Sequence, residues 1–359
     1  MMTINGQNYT AAERASLPAV FRRCYGEDSF EAELANFLNE WYGPGDLLSV
    51  HTSGSTGTPK ELWVEKRRMV NSARLTIAFL GLRRGDSALL CMPLRYIAGK
   101  MVVVRAAVAG LNLLPVTPCG HPLARLEEVP TFAALIPMQV YNTLQVPAEA
   151  EKLRQVRHLI IGGGAIDTAL AEQLATFPNH VWSTYGMTET LSHIALRRLN
   201  GPEASEWYTP FDTVRLRLSA EGTLVIEAPA VSPETLVTND LAELDHQGRF
   251  RILGRKDNTI NTGGVKVQIE QVEALLRPLL PFPFLVTSVP DPKFGERIVL
   301  LAETDTLPSD GQLTTAFAQL PPYWRPRQVF LTGQLPLTET GKPDRATAKA
   351  YCRAASSTC

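Results

Sequence analysis

The sequence has no C-x-x-C pair, no excess of either charge and no unbroken apolar run of membrane length, and each absence removes a class of function. Its five cysteines, Cys24, Cys91, Cys119, Cys352 and Cys359, are odd in number and widely spaced. That spacing offers neither a zinc-ligand pair nor a disulfide framework, and reduced thiols in the cytoplasm are the expectation. Thirty-five Lys and Arg stand against 36 Asp and Glu, for a formal net charge of -1. The basic residues are scattered, so the cationic stripe that nucleic acid requires is missing and no nucleic-acid partner is expected. The most apolar stretch, Met101 to Val116, is interrupted by Arg105 and falls short of the roughly 20 residues of a spanning helix. It reads as buried core. The opening MMTINGQNYTAAERASLPAVF sets Glu13 and Arg14 where a secretory leader keeps an apolar run, which argues against export. Repeats and low-complexity tracts are absent as well.

What is present is ample material for packed interiors. Hydrophobic residues make up 45% and charged residues 20% of 359, too apolar a mixture for a disordered chain and too long for one ordinary core. Two unequal domains are expected. Phe30, Leu34, Phe37, Leu38 and Trp41 recur at helical spacing until Gly43-Pro44-Gly45 stops them. Short apolar runs at Leu47–Val50, Ser87–Met92, Phe132–Ile136 and His158–Ile161 are separated by helix-length stretches, the alternation of an α/β fold. From Gly222 the texture turns to strand and turn. Past Asp257 a helix carrying Ile269, Val272, Leu276 and Leu279 on one face precedes strands at Phe284–Val289 and Ile298–Ala302 and a last helix near Ala346–Arg353. A large α/β domain, 1–254, followed by a small α+β domain, 255–359, is the expected division.

The most informative segment is Thr52-Ser53-Gly54-Ser55-Thr56-Gly57-Thr58-Pro59-Lys60, which follows a predicted strand. Small hydroxyl residues and glycine let backbone N–H groups close around phosphate oxygens, and a lysine at the edge adds positive charge. Composition alone also suits a flexible Ser/Gly linker, and the order is not that of a P-loop. The full nine-residue order, however, resembles the signature of the acyl-CoA synthetase, firefly luciferase and peptide-synthetase adenylation superfamily.

That resemblance runs on through the chain. Gly162-Gly163-Gly164-Ala165 is similar to the family's adenine-contacting turn, and Tyr185-Gly186-Met187-Thr188-Glu189-Thr190 to its Y-G-x-T-E motif. There the tyrosine stacks on adenine, Thr188 meets the α-phosphate and Glu189 binds magnesium, a hard ion suited to carboxylate oxygen. Thr238-Asn239-Asp240 resembles the T-G-D element whose aspartate holds the ribose, with Asn239 in the usual glycine's place. Gly254-Arg255-Lys256-Asp257-Asn258 resembles the hinge, Arg255 bonding ribose and Asp257 acting as pivot, and Thr262-Gly263-Gly264 the loop lining the pantetheine tunnel. Leu335 to Arg345 resembles the terminal P-x-x-x-x-G-K-x-x-R element, which makes Lys342 the implied catalytic lysine. The implied reaction uses ATP, Mg2+ and coenzyme A: Lys60 and the loop stabilise departing pyrophosphate as an acyl-adenylate forms, and coenzyme A then takes the acyl group.

The runs Met92–Lys100 and Thr188–Ala195 resemble o-succinylbenzoate-CoA ligases of menaquinone synthesis. Such an acid carries a ring and a second carboxylate, so the resemblance implies polar contacts at Lys100, Ser192 and His193 and walls at Tyr96 and Ile97. Each of these could equally be ordinary core or surface. Another aryl- or acyl-CoA ligase, an adenylation enzyme loading a carrier protein, and a non-catalytic acyl-adenylate binder remain open. Relatives of this kind have a much longer stretch before the phosphate loop, and its loss either exposes an apolar face that pairs two copies as a homodimer or leaves a leaner domain.

Overall fold

The computed structural model describes residues 2–51, 61–166, 168–306, 310–338 and 342–356. The expected phosphate loop Thr52–Lys60 lies outside the described residues, as do Glu339–Gly341 and Cys359. The chain separates into two compact units: one of residues 1–216, 226–236 and 246–249, the other of 217–225, 237–245 and 250–359.

In the first unit, nine described strands form one sheet. Their order is Thr209–Pro210, His193–Arg198, His180–Gly186, His158–Ile161, Phe132–Leu135, Ser87–Leu90, Asn112–Pro115, Met2–Ile4, Gln7–Tyr9. The strands from His180–Gly186 to Met2–Ile4 run parallel. Their side chains are therefore buried on both faces, with Leu89, Ala133, Leu135, Leu159, Ile161 and Val181 in one core. Helix Ile97–Ala109 crosses from Ser87–Leu90 to Asn112–Pro115, and the next strand of the sheet then lies on the other side of Ser87–Leu90. At such a reversal the carboxyl ends of the strands open a crevice, the usual place for a ligand in an open parallel sheet.

The expected helix is observed at Phe30–Tyr42, capped by the Ser29 hydroxyl, and the four predicted strands at Leu47–His51, Ser87–Leu90, Phe132–Leu135 and His158–Ile161. Met101–Val116 is core, as the end of one helix and a strand. The N-terminal hairpin Met2–Tyr9 and helix Ala11–Tyr25 carry no clear periodicity. They are fixed by pairing with the distant strand Asn112–Pro115 and by a Thr10–Glu13 capping box.

The second unit holds a four-stranded sheet, Arg215–Leu218, Thr223–Glu227, Leu236–Leu244 and Phe250–Arg255 in that order, and a five-stranded one. Strands Phe284–Asp291, at the sheet's edge, and Gly295–Glu303, inside it, pair along their whole length in the latter. One of its faces packs Val286 and Leu300 with Val272 and Leu276 of helix Ile269–Leu276, and the other packs Leu285 and Val299 with Ala348 and Cys352 of helix Arg345–Ser356. Leu279 lies beyond the first helix and is exposed. Among the described residues no helix is long and apolar enough to cross a membrane.

Candidate active site

Several sequence-predicted residues of the first unit converge on the carboxyl edge of the parallel strands. Tyr96 follows Ser87–Leu90 and bridges to His51, the last described residue before the hydroxyl-rich segment. Gly163, Gly164 and Ala165 follow His158–Ile161 and are exposed. Tyr185 and Gly186 end the neighbouring strand, His180–Gly186, and Thr188 and Glu189 lie in the short helical turn after it. Gly186 has a steric cause: a Cβ there would stand 2.2 Å from the Ser192 carbonyl oxygen, so no other residue lets the two antiparallel segments meet.

The turn is knotted by Thr190, which is fully buried. Its hydroxyl accepts the Met187 N–H at 3.0 Å and lies 2.7 Å from the Ser192 carbonyl. Leu191, also buried, takes φ 66°, a backbone region that costs a non-glycine residue about 1–3 kcal/mol. Thr190→Val keeps the shape and removes the knot. The expected result is a loss of about 1–3 kcal/mol of stability in urea unfolding, with at least about a tenfold fall in turnover as Thr188 and Glu189 move. Unchanged turnover would show that the knot is not what holds them.

Beyond the turn lies a buried polar cluster that was not foreseen as a unit. Arg105, 2% exposed on helix Ile97–Ala109, donates from Nη2 to Ser192 Oγ at 2.5 Å. Ser192 Oγ is 3.3 Å from His193 Nδ1, and His193 Nε2 is 3.0 Å from Thr76 Oγ1, which reaches the Ser72 carbonyl at 3.3 Å. Donor accounting gives one consistent ordering: Arg105 to Ser192, Ser192 to His193, and a neutral Nε2–H histidine to Thr76. Burial and the adjacent Arg105 charge hold His193 well below the usual histidine range, and burial pushes Arg105 down to about 9. Arg105 pairs with no carboxylate among the described residues, and its buried Nε has no partner. Such a cation carries its desolvation cost without a compensating charge.

Because folding lowers the His193 pKa, the unfolded chain takes up its proton first as pH falls. The stability associated with neutral His193 is present above about 6.5 and drains away below it. Thermal unfolding of the wild type should therefore fall more steeply between about pH 6.5 and 5 than that of His193→Gln; identical slopes would refute the assignment.

Arg105 and Thr76 escaped the sequence reading. The one available signal was an arginine alone inside an apolar run. Lys100, by contrast, stands apart from the cluster: its ammonium donates to the Ser49 carbonyl at 2.5 Å and lies 5.4 Å above the Phe37 ring. Tyr96 and Ile97 are half-buried at the start of the same helix.

In the second unit, Asp240 and Arg255 are cross-strand partners with Arg255 Nη1 3.3 Å from Asp240 Oδ1, while Nη2 bonds Asp257 Oδ2 at 2.8 Å. Burial alone would lower the Arg255 guanidinium, but the Asp257 bond and the Asp240 charge outweigh it and raise its pKa. Asn239 also donates to Asp257, at 3.2 Å. Lys342 sits within electrostatic reach of Arg255 and Asp240, and burial, then Arg255, lower its pKa against the opposing pull of Asp240. Gly263 takes φ 60° where a Cβ would meet the Phe294 ring at 3.0 Å. Arg297, Arg325 and Arg327 line a small depression with Thr262, Phe294 and Tyr323 beside that turn.

No group of three or more His, Cys, Asp or Glu able to enclose a metal occurs among the described residues. Glu189 nonetheless fits a magnesium ion that arrives on polyphosphate, which needs one or two protein carboxylates and would supply charge neutralisation at the phosphates.

The fold is that of the adenylate-forming acyl-CoA synthetases. An acyl-CoA synthetase (AMP-forming)/AMP-acid ligase II-like protein from Dyadobacter fermentans superposes with a TM-score of 0.62 at 33% identity, covering 89% of this chain and 93% of that one. The o-succinylbenzoate coenzyme A synthetase of Bacillus subtilis, solved with ATP and magnesium, gives 0.68 at 21% identity, over 83% of this chain and 68% of that one. A family model described as AMP-binding enzyme matches residues 7–223, and the chain belongs to that family. A probable 2-succinylbenzoate–CoA ligase of Mycobacterium tuberculosis is 30% identical over 329 residues, 83% of this chain and 82% of that protein.

Proposed function

We propose that this protein is an AMP-forming carboxylate–CoA ligase whose acid is o-succinylbenzoate, acting in menaquinone synthesis. The observation that carries the choice of acid is the buried, carboxylate-free Arg105 with Ser192 and neutral His193 beside it: one uncompensated buried positive charge suits an acid that has a second carboxylate to offer. The ligase names of relatives such as the mycobacterial protein support the same reading.

In the first half-reaction the substrate carboxylate oxygen attacks the α-phosphorus of ATP and pyrophosphate leaves. Tyr185 and the Gly163–Ala165 turn receive adenine, Asp240 and Arg255 the ribose, and Thr188 the α-phosphate. Lys342 bridges the carboxylate and the α-phosphate as charge develops, and Lys60 with residues Thr52–Thr58 attends the leaving pyrophosphate. The present grouping of Asp240, Arg255 and Lys342 is the one this step needs. In the second half-reaction a swing about Asp257 withdraws Lys342 and brings Gly263 and Gly264 to the acyl-adenylate. The coenzyme A thiol attacks the acyl carbon, AMP leaves, and the thiol proton goes to solvent. Arg297, Arg325 and Arg327 offer cationic contacts for the phosphates of coenzyme A, with Tyr323 as an aromatic platform.

CoA-dependent AMP release measured with o-succinylbenzoate, benzoate and hexanoate tests the proposal. The dicarboxylate should give the highest kcat/KM; preference for either monocarboxylate overturns the choice of acid, and no AMP with any of them overturns the ligase.

A further inference from the structure

Arg345 stands three residues beyond Lys342 and opens helix Arg345–Ser356. Its guanidinium makes a two-pronged bond to Glu273 on helix Ile269–Leu276, Nη1 to Oε1 at 2.9 Å and Nη2 to Oε2 at 2.8 Å. Glu273 is 5% exposed, and its Oε1 also accepts the backbone N–H of Val286 at 2.9 Å. Arg345 Nη1 reaches the Val286 carbonyl at 3.4 Å. One side chain thereby joins the start of the last helix to another helix and to the strand Phe284–Asp291.

The segment that carries Lys342 is shaped separately. Thr338 N–H donates to the Lys342 carbonyl at 2.7 Å, Lys342 N–H donates to Thr338 Oγ1 at 3.2 Å, and Asp344 N–H donates to the Pro336 carbonyl at 2.9 Å. Those bonds tie residues 336–338 to 342–344 but do not set where they stand on the unit. The anchor nearest in sequence that reaches the packed core is Arg345.

We infer that the Arg345–Glu273 fork is a positioning clasp that sets where the Lys342 ammonium stands relative to Asp240 and Arg255, and so serves the first half-reaction specifically. The inference rests on the role proposed above for Lys342. A fork that merely held the last helix in place would serve both half-reactions alike, because both require this unit folded.

Deleting either partner strands the other charge in the core, so the test uses substitutions that keep charge and change geometry. Arg345→Lys retains the cation without the fork, and Glu273→Asp draws the carboxylate back by one methylene. In the full-length protein, the first half-reaction is read as pyrophosphate–ATP exchange with o-succinylbenzoate. The second is read as thioester formation from chemically prepared acyl-adenylate and coenzyme A. Both variants should lose about 10- to 100-fold in exchange rate, as a displacement of about an ångström at a reacting group does, with the KM for ATP and the second half-reaction within about twofold of wild type. Equal losses in the two half-reactions, or undiminished exchange, overturn the clasp. Lys342→Ala is run alongside: if it leaves exchange intact, the role proposed for Lys342 falls; if it abolishes exchange while Arg345→Lys and Glu273→Asp do not impair it, the clasp alone falls.

Discussion

Replacing Arg105 with methionine raises the KM for o-succinylbenzoate by about 30-fold or more, leaves turnover of benzoate within a few-fold, and raises the melting temperature. The three effects share one cause. Loss of one member of a buried, hydrogen-bonded charge pair costs binding about 2–5 kcal/mol, and the second carboxylate of the acid would lose such a partner. Benzoate has no second carboxylate and loses nothing. Without ligand the same guanidinium is a desolvated charge bonded to a neutral hydroxyl, with an unpartnered Nε; a methionine of similar length packs without that desolvation cost. Steady-state kinetics with both acids and a thermal melt decide the matter; a lower melting temperature with unchanged KM would remove Arg105 from the acyl pocket.

The second large effect is expected at Lys342. Lys342→Ala should reduce adenylate formation by about 10²- to 10³-fold, the usual consequence of removing one preorganised donor aimed at developing charge. Thioester formation from supplied acyl-adenylate should hardly change. Burial, with Arg255 beside it, lowers the ammonium pKa from the ordinary lysine value against the pull of Asp240, so the protonated form gives way at a lower pH than in a free lysine. The rate of adenylation should accordingly decline on the alkaline side before 10.5, and Asp240→Asn, which removes the carboxylate favouring the ammonium, should shift that decline further down. A pH profile whose alkaline limb is indifferent to Asp240 would contradict this account.

Much of the fold was legible because its signals are local. Apolar runs bounded by turn residues announced the buried strands, and the face Ile269, Val272, Leu276 announced its helix. The candidate site was legible where it is written as short ordered motifs, at Gly163–Ala165, Tyr185–Glu189, Asp240, Arg255 and Lys342. What escaped is made by partners distant in sequence. Arg105 meets Ser192 across 87 positions, and nothing local separates an arginine that awaits a ligand from one that interrupts a core. Lys100 too meets partners far off in sequence, since a carbonyl of one strand and a ring of another helix receive its ammonium. The N-terminal strands Met2–Ile4 and Gln7–Tyr9 are too short to show a period.

Leu191 stands between two demands, for a left-handed dihedral and for an apolar filling, that neither glycine nor asparagine meets together. Glycine would relax its φ of 66° but leave a void where a fully enclosed isobutyl group was; asparagine tolerates the dihedral but would bring an amide into an apolar niche. The position is therefore a local optimum walled in on every side, and a saturation library screened for folded protein should return leucine there far above any alternative, although nothing about leucine itself is reactive.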